Sequence, residues 1–374
     1  MIYPFLPAFS RGLGVSVATL APLVALRGFA GLLSPIFGPL SERYGRRPML
    51  ILSMLIFVAG CLVIVVWPEF WVLGLSLLII ATAKVVYDPA MQAYIGDVVE
   101  YERRGRILSI TELSWAGAFF LGVPAIGFVM DRQGWTAPFL WLALFGVVGA
   151  FFLWRALPGP AADKRRSRAT TLKKTIEIVR KEKVIWAASI YLLLVMAANE
   201  LLLIIYGLWM EDSFSLSLTT LGLATAVIGG AELIGEVVTA ISVDKIGKRR
   251  FVLITGLMTG FMYLVIPFAN LSLIMALATL FVLFFFFEMT VVGGVPLLTE
   301  LVPSARGIVM SVALAAGGVG RALGALVGPR IWFAGGMGAL GLTSAIMMML
   351  SLVILALWIR EGQEDQSLLT VSEE

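Results

Sequence analysis

Eleven apolar runs of bilayer-crossing length dictate what this chain can fold into. They lie near 17–41, 48–67, 70–96, 107–130, 136–155, 184–209, 217–243, 250–268, 270–297, 307–331 and 338–359. A helix rising about 1.5 Å per residue needs about 20 residues to cross about 30 Å of hydrocarbon. Hydrocarbon offers no water to backbone N–H and C=O groups, so such runs become helices that satisfy their own hydrogen bonds. With 60% apolar and 14% charged residues in 374, and a mean hydropathy of +0.97, there is no room for a sizeable domain outside the membrane. A twelfth apolar stretch, residues 1–9, is too short to cross. The reading is an all-α integral membrane protein.

Residue types that are scarce narrow the chemistry. Histidine is absent, which removes a Ser-His nucleophile, a haem axial histidine and histidine-ligated zinc. The single cysteine, Cys61, sits in an apolar run and reads as packing. No G-x-x-x-x-G-K-[ST] stretch marks an ATP-driven pump, and Asp88 is the one aspartate well inside a span, so no facing aspartate pair suggests an intramembrane protease. We expect no enzyme, no metal and no cofactor.

The net charge of +4 does not point to nucleic acid, because the basic residues fall in short segments between apolar runs. Twenty-two of the 28 lysines and arginines lie in alternate loops on one side, three (Arg11, Arg132, Arg330) on the other, and three (Arg27, Lys84, Arg321) inside spans. The positive-inside rule makes the crowded side cytoplasmic, with the C-terminal tail. The expected location is the cytoplasmic membrane, with the chain acting as a monomer.

The chain also repeats itself. Glu42-Arg43-Tyr44-Gly45-Arg46-Arg47 matches Asp244-Lys245-Ile246-Gly247-Lys248-Arg249 at an offset of 202, and the same offset carries Arg104-Gly105 onto Arg306-Gly307 and Gly122 onto Gly324. Duplication of a six-helix unit follows, with parallel repeats packed as two bundles around a cavity. The expected parts are a first bundle over 1–155, a basic linker over 156–183, a second bundle over 184–359 and an acidic tail over 360–374. Met1 aligns with Leu203, inside a run that begins near Val184, so helix one is expected to lack about twenty N-terminal residues.

Gly38-Pro39-Leu40-Ser41-Glu42-Arg43-Tyr44-Gly45-Arg46-Arg47 resembles the loop signature of the major facilitator superfamily, commonly written G-x-L-x-D-R-x-G-R-[KR], with Glu42 in place of the usual aspartate. The second copy keeps Asp244 but has Ala240 for the first glycine. Gly122-Val123-Pro124-Ala125-Ile126-Gly127 loosely resembles the antiporter motif G-P-x-x-G of span five. Tyr101 to Arg106, followed by Glu112-Leu113-Ser114-Trp115, looks like bacterial sugar-efflux or multidrug-type members. The resemblance implies that the loop cluster latches two bundles, and that span five lies beside span eight and span two beside span eleven.

An ionisable group in mid-span costs on the order of 3 kcal/mol, so each one is a candidate for function. They are Arg27, Lys84, Asp88, Glu112, Glu200, Glu232, Glu236, Glu288 and Arg321. Glu232 and Glu236 are four apart on one helical face, where each opposes the other's ionisation; this suits proton carriage in a chain without histidine. Lys84 resembles, in placement, the span-four arginine of many family members, with Asp88 as its internal partner. The expected cavity is acidic on one wall and basic on the other. The expected function is secondary active transport of a small molecule by alternating access, as efflux in exchange for protons; the alternatives are an importer or a non-transporting sensor or scaffold.

Overall fold

The computed structural model describes residues 2–30, 44–99, 111, 114, 117–157, 179–302 and 305–359. The helices among them follow the apolar runs, and no strand occurs among the described residues. The first six segments are α1 (Ile2–Leu13), α2 (Val17–Phe29), α3 (Arg46–Val66), α4 (Phe70–Val98), a π-helical turn (Ala118–Gly122) leading into α5 (Val123–Gln133), and α6 (Ala137–Ala156). Then come α7 (Lys183–Phe214), α8 (Leu218–Ile246), α9 (Lys248–Val265) with a 3₁₀ turn (Ile266–Leu271), and α10 (Leu273–Thr299). The last helix, Arg306–Trp358, breaks at Gly335 and Gly336, whose φ of 62° is open to glycine, giving α11 (306–334) and α12 (337–358). Among the described residues eight helices, this broken one counted once, are long and apolar enough to cross a membrane. The protein is a multi-pass membrane protein.

Departures from the expected boundaries have local causes. Pro124 has no N–H for the carbonyl one turn earlier, and the π turn sits there. Pro267 stops α9 at Val265, short of the expected 268, and the chain tightens to 3₁₀. α7 runs past the expected 209 because Trp209 Nε1 donates to Asn270 Oδ1 at 2.5 Å and Glu211 pairs with Arg11.

The duplication is visible turn by turn. Gly45 and Gly247, 202 positions apart, both take φ 90° ahead of α3 and α9. Gly134 and Gly336, also 202 apart, take φ of 89° and 62°. Arg46 pairs with Asp97 at 3.1 Å and Lys248 with Glu300 at 2.5 Å, each tying a helix start to the end of the next helix. Arg47 Nη2 donates to the carbonyl of Trp154 and Arg249 Nη2 to that of Ala356, again at an offset of 202. Ser16 caps α2 through the Thr19 N–H, and Ser217 caps α8 through the Thr220 N–H.

Without a hydrophobic drive between helices in lipid, close approach decides packing. α7 is buried nearly all round, and α11 reaches it through Gly320, Gly324 and Gly328. A Cβ on these glycines would stand 2.2, 2.8 and 3.2 Å from the carbonyls of Leu193, Ala197 and Leu201. That ladder at a spacing of four is legible in the sequence, and its middle member, Gly324, also belongs to the repeat. Residues 2–156 meet residues 183–358 through other glycines. Gly28 and Gly318 face each other's carbonyls across α2 and α11, Gly207 sits on Pro4 between α1 and α7, and Gly127 and Gly222 join α5 to α8. Spans five and eight, and two and eleven, are neighbours as the resemblance implied.

Gly320→Ala should destabilise the fold by about 1–3 kcal/mol through overpacking against Leu193. Gly338→Ala, with nothing within 4 Å of its Cβ position, should be neutral. Thermal unfolding in detergent checks both.

Candidate functional site

Glu200 anchors the site. It lies in the middle of α7, where a helix apolar on every face is enclosed by its neighbours. Its side chain is 2% exposed, and Arg321 Nη1 of α11 stands 3.6 Å from its Oε2. The Tyr3 hydroxyl of α1 accepts from Arg27 Nη2 of α2, whose guanidinium lies 4.9 Å from the Tyr3 ring centre, and both residues lie within electrostatic reach of the Glu200 carboxylate. Four helices thus bring Tyr3, Arg27, Glu200 and Arg321 into one network across the α2–α11 and α1–α7 crossings. Tyr3 escaped the sequence reading because an aromatic residue in a short apolar stretch carries no pattern of its own.

A second group adjoins it. Glu232 of α8 is 7% exposed, lies within electrostatic reach of Arg321, Glu288 and Glu236, and its Oε2 has no hydrogen-bond partner among the described residues. Glu288 of α10 packs where Gly235 lets α8 approach; a Cβ there would be 3.3 Å from the Glu288 Cβ and 2.9 Å from the Phe285 carbonyl. Glu236 and Glu288 are half-buried. Acidic groups on α8 and α10 therefore adjoin Arg321 of α11.

Lys84 and Asp88 stand apart from this cluster. They pair with each other at 2.7 Å on α4, and the Lys84 side chain is 61% exposed, unlike the buried arginine whose placement it resembles. Glu112 lies outside the described residues, as do Gly38, Glu42 and Arg43 of the loop signature and Trp115. Of the signature, Gly45, Arg46 and Arg47 make the turn and contacts given above. In the second copy Gly247 makes the turn, Lys248 holds Glu300, and Arg249 also donates through Nε to the carbonyl of Ile359 at 2.9 Å; Asp244 and Lys245 end α8. Gly122, Pro124 and Gly127 form the π-to-α junction and the α5–α8 crossing. Phe284 and Phe287 are buried core, and Cys61 is fully buried packing.

On the side away from the basic loops, two further contacts join residues 2–156 to residues 183–358. Arg11 at the end of α1 pairs with Glu211 at the end of α7, and Thr219 Oγ1 donates to Asp131 Oδ2 at 2.9 Å between α8 and α5. Sequence spacing gives no hint of either pair.

A family model described as "Major Facilitator Superfamily" matches residues 1–206 and again 189–374. An uncharacterized MFS-type transporter of Bacillus subtilis (strain 168) is 26% identical over 362 residues, covering 95% of this chain and 86% of the relative. The class C tetracycline resistance protein of Escherichia coli is 24% identical over 284 residues, covering 72% and 70%. Among solved structures, a D-xylose-proton symporter aligns with a TM-score of 0.79 at 16% identity, covering 97% of this chain and 94% of that one. A bacterial homologue of the human lysosomal transporter Spinster, inward-facing and occupied, aligns at 0.76 and 13%, covering 97% and 96%. At such identities the structures establish the fold.

Removing one member of a buried ion pair strands the other charge. Arg321→Ala should cost about 1–3 kcal/mol of stability by taking the nearest cation from buried Glu200, and adding Glu200→Gln should recover much of it. Unfolding of the single and double variants in detergent measures the coupling.

Proposed function

The chain belongs to the major facilitator superfamily and is a transporter of a small molecule, and from that premise we propose that it exports its substrate by proton-coupled alternating access. The observation that carries the proposal is Glu232, a 7%-exposed carboxylate that shares Arg321 with Glu200 at the crossing of the two bundles. Holding a proton on Glu232 frees Arg321 for Glu200, and losing it draws Arg321 back. A proton taken up on one side can then bias which side the cavity faces. Glu236 and Glu288 extend the relay, with Glu112 as a further member on span five. Efflux draws support from the span-five motif and from the tetracycline and multidrug resistance relatives.

In this reading the moving parts are residues 1–155 and 184–359, with 156–183 as linker and 360–374 as tail. The basic loops and tail face the cytoplasm, a monomer is the working unit, and no catalysis takes part. The loop signature, with Glu42 and Arg43, latches the cytoplasmic side. Arg11–Glu211 and Asp131–Thr219 clasp the opposite side, so the conformation described is closed outward.

In proteoliposomes, Glu232→Gln and Glu236→Gln should each abolish transport driven by a pH gradient; unchanged flux in both and in the double variant would refute the coupling role. Accumulation with the proton gradient, as in a symporter, would reverse the direction. Arg11→Ala should weaken the outward clasp and raise the outward-open population, read as increased distance between spin labels on the ends of α1 and α7.

A further inference from the structure

Arg47 at the start of α3 and Arg249 at the start of α9 hold equivalent places in the two copies, yet they are not equally satisfied. Arg249 donates through Nη2 to the carbonyl of Ala356 and through Nε to that of Ile359 at 2.9 Å. Arg47 donates through Nη2 to the carbonyl of Trp154, the counterpart of Ala356, but its Nε is buried and has no partner among the described residues. A buried donor without an acceptor is costly, and more so on a charged group. Beside it lies a groove of about 370 Å³ between α3 and α6, lined by Arg47, Pro48, Ile51, Leu52, Leu55 and Trp154. The spacings of four, Arg47 to Ile51 to Leu55 and Pro48 to Leu52, lay two rows along α3 that run about 12 Å inward from the helix start. Leu52, Leu55 and Trp154 are exposed, so the groove opens toward lipid, and the exposed Arg155 stands beside Trp154 at its basic end.

We infer that this groove holds an anionic phospholipid, with its phosphodiester against Arg47 and Arg155 and one acyl chain along Ile51, Leu52 and Leu55. The groove is cationic at the end of the spans and apolar for two turns beyond, which is the polarity of a phosphate joined to a hydrocarbon chain. A phosphate oxygen gives the Arg47 guanidinium the second acceptor that the Ile359 carbonyl gives Arg249. Arg46, next to it, is already paired with Asp97 at 3.1 Å and makes no such demand. A choline headgroup carries its own ammonium into this basic surrounding, whereas a glycerol headgroup leaves the lipid with a net negative charge. Trp154 stands at headgroup level, where indole rings collect. A soluble anion would match the arginines but leave the two apolar rows uncovered. The bound lipid ties the start of α3 to the end of α6, beside the Arg47 contact to Trp154.

The test uses the purified full-length chain in detergent, titrated with dioleoyl phosphatidylglycerol, dioleoyl phosphatidylcholine or glycerophosphate, with binding read by native mass spectrometry and by melting temperature. Phosphatidylglycerol should be retained and should raise the melting temperature. Phosphatidylcholine should bind about tenfold more weakly, and glycerophosphate should have neither effect. Arg47→Gln should weaken phosphatidylglycerol binding by about tenfold. Leu55→Trp, which fills the groove and leaves both arginines in place, should weaken it as much, and it carries the test if the Arg47 variant does not fold. Arg250→Gln removes an exposed cation at the start of α9, where the first copy has Pro48, and should leave binding unchanged. Equal binding of phosphatidylcholine, full binding in the Leu55 variant and in any folded Arg47 variant, or an equal loss in the Arg250 variant overturns the inference. Glycerophosphate binding as tightly as the lipid would make this a site for soluble anions and would overturn it too.

Discussion

Everything in this fold leans on the close approach of α11 to α7. A helix enclosed on all sides needs neighbours that can reach it, and lipid tails are as apolar as leucine, so hydrophobicity does not pull helices together. Gly320, Gly324 and Gly328 solve this by presenting bare backbone to the carbonyls of Leu193, Ala197 and Leu201. The approach also has a chemical consequence. Gly324 lies against the Cβ of Glu200, 2.7 Å from its own Cβ position, and Arg321 projects from the same stretch of α11, so the contact that buries Glu200 also delivers the cation that compensates it. Packing and charge are one arrangement here.

The crossings between the two halves use the same device with fewer glycines. Gly28 with Gly318 and Gly207 with Pro4 bring backbones together across α2–α11 and α1–α7, and Gly127 and Gly222 do so across α5–α8 at the carbonyls of Leu218 and Val123.

The spans were legible because bilayer thickness fixes their length, and the duplication because turns and helix ends demand particular residues. Gly45 and Gly247 recur since a φ of 90° excludes most side chains. Boundaries failed where tertiary contact prolonged a helix, as Trp209 and Glu211 do for α7, or where a proline redirected one, as at Pro124 and Pro267. At the candidate site, intramembrane charge marked Arg27, Glu200, Glu232, Glu288 and Arg321, since such residues are costly wherever they lie. It did not separate them from Lys84 and Asp88, which satisfy each other on α4, nor did it reveal Tyr3, whose role comes only from the helices that surround it.

The two halves agree at their edges and disagree at their centre. At the offset of 202, the turn glycines, the cations Arg46 and Lys248 (their acidic partners one residue out of step) and the Arg47 and Arg249 carbonyl contacts coincide. The intramembrane charges have no such counterparts: Arg27 aligns with Gly229, Glu232 with Ala30, Glu288 with Val86 and Arg321 with Phe119. A charge that served only to fix helix packing would be as useful in one copy as in the other, since both copies use the same turns and helix pairings. Arg27 and Tyr3 of the first copy reach Glu200 of the second, so the network spans both halves. In the transport cycle proposed above, motion between the halves rearranges the charges and a change in the charges favours one arrangement of the halves, which is the reciprocity that coupled transport requires.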